Sequence, residues 1–219
     1  MTATLAPTRG RSIPLSTWAV ALLLPVGPAA IAVLRLILPY YTAGDTSDMV
    51  AAVNANPGRQ SAVLWLAYVG ILTLVPGLFA AAQVCRTAAP RLTAWALGLA
   101  VPGYLSLGML VGSDHLLWST TDAGLSRADA VAVVDAGHPS IDVAIGVFVL
   151  GHVIGTVLLG LALLRSGRIP VWAGWAIAVS QPLHFVATVI LGSPQVDFVA
   201  WSLTAVGMAF VAREVLRDR

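Results

Sequence analysis

Six apolar runs, at residues 17–39, 61–84, 92–111, 142–164, 171–191 and 198–211, constrain this chain more than any other feature. A bilayer core takes about 20 apolar residues of helix. Five runs reach that length, and the sixth reaches it by extending through Ala212 and Val215 to Leu216. The runs are continuous and show no two-residue alternation, so they read as helices and not as barrel strands. Only 10% of the residues are charged, against about 25% in a soluble domain. The expected fold is all-α, an integral-membrane bundle of six helices. It divides into a tail at 1–16, one transmembrane domain at 17–216 and an end at 217–219. The first run follows Arg9 and Arg11 as a signal peptide would. It stays apolar through Leu38, well past the 7–15 residues of an ordinary h-region, and reads as a retained span.

Charge gives an orientation. With six spans and the N-terminus inside, nine arginines (9, 11, 86, 91, 165, 168, 213, 217 and 219) face the cytoplasm. Only Arg35, Arg59 and Arg127 lie outside. This is a positive-inside pattern and places both termini in the cytoplasm. Eight of the ten acids fall on the outer side, leaving Glu214 and Asp218 inside. All twelve basic residues are arginine. The absence of lysine excludes a retinal-type Schiff base and, with the Ala, Gly and Val content, hints at a bacterial source. The expected location is therefore a bacterial cytoplasmic (inner) membrane. No basic stripe is interleaved with aromatics, so no nucleic-acid partner is expected. Cys85 stands alone and allows neither an internal disulfide nor a CxxC motif.

The inner loops RTAAPR and RSGRIP are minimal, which makes hairpins of spans two–three and four–five. The outer loops are longer. Ser126-Arg127-Ala128-Asp129 has a capping-box form and predicts a short outer-surface helix. Thr46-Ser47-Asp48 before MVAAVNAN predicts another.

Ionisable groups at membrane depth are functional candidates, because leaving them in lipid costs several kcal/mol. His152 lies about 15 Å below Asp142 along the fourth span, flanked by Gly151 and Gly155, a spacing that lets another helix approach closely. Packing glue and ligand contact are both open for it. Gln181, His184 and Thr188 form one stripe on the fifth span, and Pro182 removes a backbone donor within it. Asp114 and His115 close the third span, but adjacent helical residues diverge by about 100°. Asp142 and Asp197 each begin a span, where negative charge is favourable. Arg35 can snorkel or neutralise an outer aspartate. The tryptophans fall mostly near predicted interfaces, as an aromatic belt does.

The segment DAGHPSIDVAIGVFVLGHVIGTVLLGLALLRSGRIPVWAGW resembles the corresponding part of a broad group of six-span bacterial membrane proteins. The loop AGDTSDMVAAVNANPGR is also similar to theirs. That resemblance assigns no activity. In size, multispan topology, acids at one end and an apolar aromatic interior, the chain also resembles small integral-membrane terpene cyclases. There, acids at the mouth of the bundle protonate a prenylated substrate and the bundle shapes the carbocation cascade. Fungal members commonly have seven spans and a membrane-depth Glu. Here there are six, and aspartates would take that role.

The expected function is thus an integral-membrane enzyme acting on an apolar isoprenoid or other lipid-like substrate. Asp142 and Asp114 are the candidate general acids, and His138 and His115 would supply or recover protons. His184, Gln181, His152 and Asp45 are the candidate substrate contacts. The partners are the lipid bilayer and an apolar small molecule, and no cofactor is expected. A small transporter or lipid-binding scaffold is the alternative, and a haem protein ligated by His152 and His184 a third reading.

Overall fold

The computed structural model describes residues 15–41 and 44–217. Six long helices form the bundle: α1 (Leu15–Ile37), α3 (Pro57–Cys85), α4 (Pro90–Asp122), α6 (Ser140–Ser166), α7 (Val171–Phe185) and α8 (Pro194–Arg217). Two short ones, α2 (Thr46–Ala55) and α5 (Arg127–Asp135), sit in the longer connections. No strand occurs among the described residues. Six segments are long and apolar enough to cross a membrane, the fifth comprising α7 and the turn that follows it, to Leu191. This is a multi-pass membrane protein, embedded in a lipid bilayer.

Each long helix packs on the next in the chain, and α8 closes the ring against α1. Short loops force this at α3–α4 and α6–α7, because so tight a turn can only return the chain beside itself. Gly167, with φ of 63°, ends α6 in the left-handed region that glycine adopts without strain.

Small residues set the closest approaches. A Cβ on Gly103 of α4 would stand 2.6 Å from the backbone nitrogen of His152. One on Gly155 of α6 would stand 2.6 Å from the backbone nitrogen of Ala100. Bare backbone on both helices therefore brings α4 and α6 into contact, as small residues do between membrane helices. The contact fixes the depth of His152, which is completely buried. Large apolar side chains such as Trp65, Leu72, Trp95, Leu150 and Val189 point outward. Lipid is their natural solvent.

The third span is longer than its apolar run. It continues from 111 to Asp122, because Leu117 packs with Val50, Val53 and Ala130 into a small second core beneath α2 and α5. The last span starts at Pro194, four residues before the apolar run, and takes Asp197 into its first turn. At α2 the Asp45 carboxylate accepts from the Ser47 backbone N–H at 2.8 Å. At α5 the Ser126 hydroxyl accepts from the Asp129 N–H at 3.2 Å and donates to the Asp129 carboxylate at 2.6 Å. Thr46 donates to Asp135 and Arg127 to Ser47, which ties the two caps together over one end of the bundle.

Candidate functional site

Beneath that cap lies a cluster of charge with little access to water. Asp197 is completely buried. Its Oδ2 accepts from Arg35 Nε at 2.5 Å and from the Tyr41 hydroxyl at 3.0 Å. Its Oδ1 lies 2.5 Å from His184 Nδ1. Thr188 adds a longer contact to Oδ2 at 3.4 Å. A buried carboxylate persists only when paired and hydrogen-bonded, and here donors come from α1, the segment after it, α7 and the turn beyond.

The His184 ring is set by this pairing. At 2.5 Å from a carboxylate oxygen, Nδ1 carries the proton and donates it to Asp197. Nε2 is then the nitrogen with a lone pair. The Trp201 indole N–H approaches the same Nδ1 at 3.3 Å. A protonated Nδ1 accepts nothing, so that approach is a packing contact.

The backbone after His184 departs from α-helix. Val186–Leu191 forms a π-helical turn, following Pro182 within α7. Such turns inside helices are frequent at functional sites. This one turns Thr188 toward Asp197. The predicted polar stripe thus faces α8 throughout, with Gln181 Nε2 donating to Thr204 at 2.9 Å.

A second carboxyl stands on α4. The Tyr40 hydroxyl donates to Asp114 Oδ1, and Gln60 Nε2 donates to the Asp114 backbone carbonyl at 3.2 Å. Burial and the adjacent Asp114 push the Tyr40 phenol well above its ordinary value, so it stays a neutral donor. Burial likewise raises the Tyr41 phenol.

These groups border a cleft with two compartments. The larger, about 400 Å³, runs beneath α2 and α5 and is walled by side chains such as Met49, Leu117, Ile145 and Val149. The smaller, about 100 Å³, is walled by Ile31, Leu34, Ala67, Leu107 and Trp201 among others. Arg35, Asp114, Phe148 and His184 line both. The polar groups therefore stand at the waist between two apolar spaces. Arg35 spends Nε on Asp197 and lies with its guanidinium carbon 4.7 Å from the centre of the Tyr41 ring, a cation–π distance. Its Nη2 is buried and has no hydrogen-bond partner among the described residues.

His152 lies deeper. Its ring stacks on Phe148 with centroids 4.1 Å apart, and Trp201 lies parallel on a 6.2 Å spacing. Nδ1 is 2.5 Å from the Phe148 carbonyl and donates to it, which leaves Nε2 an acceptor without a partner among the described residues. The His184 ring centroid is 5.4 Å away.

The sequence-predicted residues thus fall into groups. Asp114 and His184 meet at the waist of the cleft, with Gln181 and His152 buried nearby. Asp142 is exposed in the first turn of α6. His138 is exposed and bonded to Ser140 at 3.1 Å. His115 points away from its neighbour Asp114 into an aromatic surface groove with Trp65, Tyr68 and Trp118. Asp45 is exposed and caps α2.

Asp197, Tyr40, Tyr41 and Trp201 join the cluster without having stood out as site residues. Arg35 gave a signal: it is a lone cation at the end of a span, on the side where the acids gather. Asp197 also lies on that side at the end of a span, one of several outer aspartates that Arg35 could neutralise.

The fold and cluster define a multi-pass helical membrane protein with a charged cleft at one end of the bundle. The chain matches no protein-family model, no curated protein and no solved structure.

Proposed function

We propose that this protein is an intramembrane acid–base enzyme acting on an apolar, isoprenoid-like lipid. The observation that carries the reading is the cleft waist, where Asp114 and His184 line the same two apolar compartments. Asp114 in its acid form gives its proton to an alkene carbon of the substrate. The alkene electron pair forms the new C–H bond and leaves a carbocation. Apolar walls exclude the water that would quench it, and the faces of Phe148 and Trp201 stabilise positive charge. Cyclisation or a shift of the double bond follows, and a proton is lost to His184 Nε2. Asp197 holds that imidazole in the required tautomer, the role an orienting carboxylate plays in other acid–base sites. The proton returns to Asp114 through solvent, so the net reaction is an isomerisation and needs no oxidant.

Tyr40 orients Asp114 by occupying Oδ1. The two short helices cover the larger compartment, on the face that the positive-inside pattern puts outside the cell. The test is incubation of the purified protein with prenylated lipids, followed by mass spectrometry. The expected result is a product of unchanged mass and altered retention, absent with Asp114→Asn and with His184→Gln. Retention of turnover in both folded variants sinks the assignment. Saturable binding without any product moves the protein to the transporter or lipid-binding class.

A further inference from the structure

The cleft's polar groups also define what part of a substrate it takes. Resting on the lipid-enzyme reading of the same site, we infer that the ligand is an amphiphile whose only polar feature at the waist is an uncharged, hydrogen-bond-accepting oxygen, such as a ketone, quinone or ester carbonyl, held by the Arg35 guanidinium.

Three observations carry this. First, Arg35 lines both compartments, and its Nη2 is buried without a partner among the described residues. A buried N–H without an acceptor costs free energy until an acceptor meets it. Second, the charge of Arg35 is already matched. Its Nε is 2.5 Å from Asp197, and no other arginine among the described residues lines either compartment. A phosphate or carboxylate at the guanidinium would bring a further negative charge beside Asp197, with no second arginine among the described lining residues to offset it. An ammonium head would set cation against guanidinium. A neutral carbonyl satisfies the donor and adds no charge.

Third, the spaces on either side are unequal. About 100 Å³ lies on one side of the waist and about 400 Å³ on the other. The oxygen therefore sits close to one end of the ligand. A small apolar group fills the inner compartment between Ile31, Leu34 and Ala67. A long apolar tail runs past Ile145 and Val149 beneath the cap. This is the shape of a methyl ketone or a short-ring quinone on a long chain, and not of a phospholipid with two chains.

The experiment uses three probes of one chain length: a dodecanone with the carbonyl next to the terminal methyl, dodecyl phosphate and dodecylamine. Each carries a diazirine near the middle of the chain. Each is photolysed with the whole purified protein in detergent, and labelled peptides are mapped and titrated. The ketone is expected to label the α4 and α6 peptides containing Leu117 or Ile145 saturably, with the phosphate and amine at least tenfold weaker. Arg35→Met alone leaves Asp197 buried without its cation and can unfold the protein. The deciding variant is therefore Arg35→Met/Asp197→Asn, which removes both charges together. Its ketone labelling is expected to fall at least tenfold, with the helical circular-dichroism signal and gel-filtration profile retained.

Stronger labelling by the phosphate probe, or undiminished ketone labelling in the folded double variant, overturns the inference. Asp114→Asn keeps ketone labelling if the inference holds, since Arg35 is intact. A folded Asp114→Asn protein that keeps full turnover contradicts the acid assignment and leaves the labelling result standing. The two ideas therefore fail separately.

Discussion

Replacing Arg35 with methionine tests whether the buried cluster is a unit. The substitution keeps an apolar stem of similar length along α1 and removes the guanidinium. Asp197 then remains completely buried with the His184 and Tyr41 donors but no permanent cation. Breaking one partner out of a buried ion pair costs about 3–5 kcal/mol. The Arg35 side chain keeps 18% of its exposure, and two donors stay on the carboxylate, so the lower end applies, about 3 kcal/mol. Asp197→Asn in the same background removes the stranded charge while leaving an oxygen for His184. The double variant should therefore regain most of the loss and unfold within about 1 kcal/mol of the parent, because paired removal of a buried bridge is often neutral. The assay is equilibrium unfolding in mixed micelles followed by tryptophan fluorescence, with all four proteins closing a double-mutant cycle. A single-variant loss under about 1 kcal/mol, the value of an exposed bridge, with simple additivity in the double, would refute the reasoning.

Three further outcomes follow from the same geometry. Gly103→Ala and Gly155→Ala push a methyl against backbone 2.6 Å away and should each cost about 1–3 kcal/mol, whereas Gly108→Ala meets nothing within 4 Å and should be neutral or mildly stabilising by the same unfolding assay. Arg127→Ala removes an ion pair to Asp48 whose side chains are 55% and 81% exposed; thermal unfolding should move by less than about 1 kcal/mol, because solvent screens such a pair. Single cysteines placed at Asn54 and at Ser166 in a Cys85→Ala background should differ in intact cells, with a membrane-impermeant maleimide labelling the first and sparing the second; the reverse pattern would invert the topology.

The bundle was legible because its signal is collective. Each span is a long, mostly apolar run, and no local exception outweighs it. Span ends were less legible, since α4 runs on to Asp122 through a mixed sequence held by Leu117 against the small core beneath α2 and α5. The cluster at Asp197 was harder still. Its partners lie 162 and 13 residues away, and its position at a helix start has a sufficient electrostatic reason by itself. Nothing in local spacing distinguishes a capping aspartate from one that Arg35 reaches across the bundle. The divergence of Asp114 and His115 was readable, because a helix turns adjacent side chains about 100° apart. Which of the two points inward depends on the packing of α4 against α3 and α6, and that is a property of the assembled bundle.

Catalysis by protonation has one direct signature. Under the proposed mechanism, turnover in deuterium oxide should place solvent deuterium on a carbon of the isomerised lipid, because Asp114 would regain its proton from solvent before each cycle. Product isolated from the parent protein and analysed by mass spectrometry and deuterium NMR is predicted to carry one carbon-bound deuterium, and Asp114→Asn is predicted to yield neither product nor label. A product free of carbon-bound deuterium, or the same labelling from the Asp114→Asn variant, would contradict the account.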